Sequence, residues 1–160
     1  MNSGLDTSIE ILLVEDNPGD VRLTIEALGE AKMDIHLTVA QDGVEALSLV
    51  RGIPPRQEAG RFDLILLDLE LPRKNGREVL AELKNDPKLK HIPVIILTTS
   101  KAEEDIDAAY AAHANCYVTK QVGFKPFMRV VQSIEDFWLS VATLPRGGAD
   151  AYKFDSNPAD

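Results

Sequence analysis

The 160-residue sequence predicts a doubly wound α/β domain: a five-stranded parallel sheet flanked by five helices. Three observations carry that prediction. Apolar runs of strand length recur five times, and a longer segment with helical character follows each of them. The runs are also almost uniformly apolar instead of alternating, as in strands buried on both faces. Right-handed crossovers between parallel strands then distribute the helices over the two faces.

In chain order, the first run is Ile9–Glu15 (IEILLVE), followed by Asn17-Pro18, a capping residue and a proline suited to the first helical position. Ile35–Ala40 (IHLTVA) is the second strand, Leu64–Leu67 (LILL) the third and Ile92–Leu97 (IPVIIL) the fourth. After them come Asp42, Asn75 and Ser100, each with a glutamate three residues later (Glu45, Glu78, Glu103), the pairing that satisfies free amides in a helix's first turn. Cys116–Thr119 (CYVT) is the fifth strand, and a long apolar-striped helix closes the pattern. The polar stretch Arg51–Arg61, with its two adjacent prolines, reads as a surface insertion. Residues 1–145 are expected to form one domain with a core over 9–144, and 146–160, which lacks periodicity, a disordered tail.

The charge balance excludes some functions. Lys and Arg total 17 against 26 Asp and Glu, a formal net charge of -9, so the field of the chain repels nucleic acid backbones. No stretch approaches the roughly 20 apolar residues of a membrane span, and the first ten residues lack the pattern of a signal peptide. With a single cysteine, Cys116, no internal disulfide forms, and a cytoplasmic protein is expected. His36, His91 and His113 fall on separate elements and suggest no metal cluster. No glycine-rich nucleotide loop precedes a helix.

The strand ends are more informative, because ligands of open parallel sheets bind outside the carboxyl edge. The first strand ends in Glu15-Asp16, the third in Asp68, the fourth in Thr98-Thr99-Ser100 and the fifth in Thr119-Lys120. Carboxylates brought together on one edge repel one another, and a hard divalent cation with oxygen ligands, Mg²⁺ above all, relieves that repulsion. The chemistry suited to this set is phosphoryl transfer. Asp68 acts as nucleophile, Asp16 and its neighbour hold the metal, Lys120 pairs with a phosphoryl oxygen and Thr98 donates a hydrogen bond.

Four strings, LLVEDNPGD, DLILLDLELPRKNG, PVIILTTS and YVTK, resemble in this order and spacing the receiver domain of two-component response regulators, over nearly all of Ile9 to Leu144. The resemblance implies a flavodoxin-like receiver fold and no turnover of an external substrate. It further implies that Glu15 and Asp16 are metal acids, Asp68 is the phosphoacceptor and Glu70 is a metal ligand through its backbone carbonyl. Thr98 would be the switch hydroxyl, Lys120 the phosphate-binding lysine and Tyr117 the switching aromatic. The phosphodonor it implies is a sensor histidine kinase. More narrowly, EDNPGDVRLT, LPRKNGREVL, HANCYVTK and IEDFWLSVATLP are similar to the small stand-alone regulators that partner bacterial phytochromes, which would make the donor a light-sensing kinase. One departure is Gln121, which follows Lys120 where the family usually carries proline.

Two other readings fit parts of the pattern: a metal-dependent phosphatase with Asp68 as nucleophile and Glu70 as acid, and a receiver-like binding module that is never phosphorylated. The phosphatases place an Asp-x-Asp pair after their first strand and carry a cap, features not evident here. On the last helix, Phe127, Val130, Val131, Ile134, Phe137, Trp138, Val141 and Leu144 span an arc of roughly 140°, wider than the roughly 100° of a core stripe. Phe127, Val131, Phe137 and Trp138 are therefore expected to form a partner surface, most simply that of a homodimer built from the last helix and strand.

Overall fold

The computed structural model describes residues 8–30, 33–52 and 61–145. Most of the Arg51–Arg61 insertion and the 146–160 tail lie outside the described residues. The elements run β1 (Ile9–Val14), α1 (Pro18–Gly29), β2 (Ile35–Ala40), α2 (Gly43–Arg51), β3 (Leu64–Leu67), α3 (Gly76–Asn85), β4 (Val94–Thr98), α4 (Glu103–Ala111), β5 (Cys116–Thr119) and α5 (Phe124–Ile134). All strand pairs are parallel, in the order β2-β1-β3-β4-β5. The chain leaves β1 toward β2 on one side and returns to β3 on the other, so the direction of winding reverses between β1 and β3. Crevices for ligands open at such a reversal.

Period-two alternation divides the strands between two cores. Leu12, Val14, Ile65, Leu67, Val94 and Ile96 pack under α2, α3 and α4, while Ile11, Leu13, Leu64, Leu66, Ile95 and Leu97 pack under α1 and α5. The central strand β3 is buried at all four positions, which is why its sequence is an unbroken apolar run. β2 is an edge strand and tolerates His36, whose ring lies 2.7 Å from Glu10. β4 begins two residues later than expected, because the amide of Ile92 bonds within the preceding turn and Pro93 has no amide to give.

Three of the four expected caps form: Asn17, Asp42 and Asn75 each accept an amide from the first turn, and Asn75 with Glu78 makes a full capping box. The fourth does not. Helix α4 starts at Glu103 behind Ala102 without a side-chain cap, because the Ser100 hydroxyl donates to Asp105 at 2.6 Å, inside the helix, rather than closing its start.

The last helix also departs from expectation. After Ile134 it widens into a π-helical segment, Glu135–Val141, with the Ala142 amide donating to the Phe137 carbonyl at 2.7 Å. Phe127 and Val131, expected on a partner surface, are instead buried against the sheet with Met128 and Ile134, because the heptad-like stripe of α5 fills the core beneath it. Phe137 (52% exposed) and Val141 (70%) face outward, and Trp138, half-buried, meets Phe137 edge to face at 5.5 Å. Among the described residues, no helix is long and apolar enough to cross a membrane.

Candidate functional site

Strand register assembles the site. Val14 is paired with Leu67, so Glu15 and Asp68 leave neighbouring strands side by side, and the Asp68 amide donates to the Val14 carbonyl at 3.1 Å. Thr98 is paired with Thr119, and the Lys120 amide donates back to the Thr98 carbonyl at 2.7 Å. Gly76, at the start of α3, seats that helix directly against this edge. A Cβ there would lie 2.1 Å from the Asp68 carbonyl oxygen.

The side chains converge as the strand ends suggest. The buried Lys120 ammonium donates to Glu15 Oε1 at 2.6 Å, Asp20 Oδ2 at 2.9 Å and Asp68 Oδ2 at 3.1 Å. The second Glu15 oxygen accepts the Asn17 amide, and the second Asp68 oxygen accepts the Glu70 amide. Glu15, Asp16 and Asp68 each offer an oxygen, all within 4.8 Å of one another, and Asp16 is exposed to solvent. An all-oxygen, acidic set with one open side fits a hard divalent cation. Thr98 Oγ1 is fully buried and has no hydrogen-bond partner among the described residues. A group arriving at this edge with spare acceptor oxygens would satisfy it.

Burial pushes the Glu15 carboxyl up to about 7, against the opposing pull of the Lys120 ammonium and with help from the neighbouring Asp68 charge. Burial also works against the Lys120 charge, but the hydrogen bonds to Glu15 and Asp20 outweigh it and hold the ammonium well above the usual lysine value.

Two expected residues stand apart from this cluster. The side chain of Glu70, a residue expected to act through its backbone carbonyl, is exposed and lies 3.5 Å from Arg77. Tyr117 is half-buried against the α2–α4 core, and its hydroxyl donates to the Ser100 carbonyl at 3.0 Å. The Arg77 guanidinium also pairs with Asp105 at 3.0 Å, and Asp105 accepts the Ser100 hydroxyl. These two bonds, Ser100 first, hold the Asp105 carboxyl below the usual carboxylate range. Sequence reasoning missed Asp20. The available signal was its place on the first turn of α1, four residues past Asp16, where a helix leaving the sheet edge still overhangs it. Beside the acids, a groove of about 460 Å³ runs past Pro18, Val21 and Ile25 of α1.

Comparison with known proteins agrees with this geometry. Residues 11–132 match the response regulator receiver domain. The response regulator Rcp1 of Synechocystis is 48% identical over 135 residues, covering 84% of this chain and 92% of that protein. The crystal structure of the Mn(2+)-bound form of Rcp1 superposes with a TM-score of 0.83 at 47% identity, covering 86% of this chain and 99% of that one. The phosphorylated cyanobacterial phytochrome response regulator RcpA superposes with a TM-score of 0.84 at 49% identity, over the same shares. In sequence, in strand order and in the acids gathered at one edge of its sheet, the chain belongs to the response regulator receiver domain family.

Proposed function

We propose that residues 1–145 act as a single receiver domain that takes a phosphoryl group onto Asp68 from a phosphohistidine of a sensor histidine kinase, in the cytoplasm, and signals through altered protein contacts. The observation that carries this reading is the Asp68 carboxylate held beside the Lys120 ammonium, with two more acids and the buried Thr98 hydroxyl, unpartnered among the described residues, on the same sheet edge. An Asp68 oxygen attacks the phosphorus, the P–N bond to the donor imidazole breaks, and its electron pair leaves with the nitrogen. Lys120 compensates charge on a phosphoryl oxygen, and Thr98 is the switch donor that bonds another, with Tyr117 following. Glu15, Asp16 and Asp68, with the Glu70 backbone carbonyl, would hold Mg²⁺, which would supply the remaining neutralisation of the transferred group.

The likeness to RcpA supports a phytochrome as the kinase, and the groove along α1 offers a donor helix the apolar side chains Pro18, Val21 and Ile25 beside Glu15 and Asp16. Exposed Phe137 and Val141 support a homodimer through the end of the last helix. The test is incubation with Mg²⁺ and acetyl phosphate. A single acid-stable, base-labile phosphate is expected, absent in Asp68→Asn. Labelling that survives that substitution, or none in the wild-type chain, would refute the assignment.

A further inference from the structure

Lys120 is committed three times over. Its ammonium has three protons, and each already has a carboxylate, on Glu15, Asp20 and Asp68. Phosphorylation removes the Asp68 carboxylate and passes its donor to a phosphoryl oxygen, so a second bond from Lys120 to the new group requires another carboxylate to yield. Asp68 is the acceptor itself. Glu15 makes the shortest of the three bonds, is 4% exposed and is tied through its other oxygen to Asn17. Asp20, at 26% exposure, is the one that water takes over at least cost.

We propose that Asp20 is a positioning residue that holds the Lys120 ammonium toward α1 in the unphosphorylated protein and competes with the phosphoryl group for it. The inference rests on the phosphoacceptor reading above. The backbone of Asp20 is fixed: its amide donates to the Asn17 cap at 3.0 Å, and its carbonyl accepts the Thr24 hydroxyl at 2.7 Å. Only the side chain is free to turn, and it turns to Lys120, 100 positions away in the chain. An acid in a helix's first turn is favoured by the helix dipole wherever it points. That preference accounts for Asp20 being acidic but not for its reaching across the site to a buried ammonium. Asp20 also adds a negative charge beside the place where a phosphoryl anion must settle, which raises the donor concentration needed to fill the site.

Beryllofluoride, a tetrahedral mimic of a phosphoryl group on a carboxylate, tests this at equilibrium. It is titrated at saturating Mg²⁺ and followed by the amide resonances of Asp68 and Lys120. Asp20→Asn should lower the half-saturating concentration about five- to tenfold, because both the competitor and its charge are gone. Asp34→Asn makes the same change in net charge at an exposed position and should leave it at the wild-type value. A purely structural role for Asp20 would weaken binding, the opposite sign. Asp20→Ala repeats the measurement should the asparagine variant fold poorly. Unchanged or weaker binding in the Asp20 variants, or an equal gain in Asp34→Asn, overturns the proposal while the phosphoacceptor reading stands. Wild-type protein that binds no beryllofluoride overturns both.

Discussion

Thr98 buries a hydroxyl that has no hydrogen-bond partner among the described residues, and an unsatisfied buried donor costs about 1–3 kcal/mol. Thr98→Val keeps the shape and removes the donor, so the unphosphorylated protein should gain about 1 kcal/mol in urea unfolding while its response to phosphorylation is lost. Glu15 gives the site a pH dependence. Its folded value of about 7 lies above the 4.5 of an ordinary glutamate carboxyl, so between these values the folded chain holds a proton that the unfolded chain has released. The stability from this group is present below 4.5 and lost as pH rises through 7. Metal binding runs the other way, because the cation requires the carboxylate. Apparent Mg²⁺ affinity should fall about tenfold per pH unit below 7, measured by titration at constant ionic strength. At this scale the sequence showed Glu15, Asp16, Asp68, Thr98 and Lys120, because each stands at the end of a strand whose apolar run is visible. Asp20 was hidden, since its role depends on where a helix leans rather than where a strand stops.

At the scale of elements, the start of α3 carries much of the site's rigidity. Asn75 and Glu78 cap it reciprocally, and Asn75→Ala should cost about 1 kcal/mol. Gly76→Ala is more severe, because the new methyl group meets the Asp68 backbone and something must move. About 3 kcal/mol and slower phosphorylation are expected, in denaturant unfolding and in labelling kinetics. Helix α4 is held differently, by Arg77–Asp105 and Ser100–Asp105 in place of a cap. Arg77→Ala should therefore raise amide exchange in the first turn of α4 while changing global stability by less than about 1 kcal/mol. Helices opening on Asn17, Asp42 and Asn75 were legible as capping signals. Ser100 carried the same signal and misled, because a serine two residues short of a helix bonds equally well to an acid inside it. The π-helical segment left no mark, since its apolar residues fit an ordinary helical stripe as well.

For the whole molecule, reading apolar runs was enough to obtain five parallel strands and two helical layers. The order β2-β1-β3-β4-β5 sets the acids and the lysine on one rim. What lies outside that frame is the end of the last helix. There the sequence showed an excess of apolar residues but not which of them the sheet would take. Phe127 and Val131 went inward, leaving Phe137 and Val141 exposed. The homodimer proposed through this surface predicts that Phe137→Glu elutes later than the wild-type chain in gel filtration. An unchanged elution volume from protein folded by circular dichroism removes that surface from consideration.

The threefold grip of Lys120 has one more consequence. A rim that gathers four acids would be expected to lean on a mineral ion for its architecture, but this one carries a built-in counterion, anchored by the sheet itself. Chelation should then silence the protein without dismantling it. In excess EDTA the chain should still melt in one cooperative transition, lowered only by the loss of ligand binding to the native state, about 2.7 kcal/mol for a metal held at a hundred times its dissociation constant. Lys120→Ala, by contrast, should make the same melt strongly dependent on divalent ions.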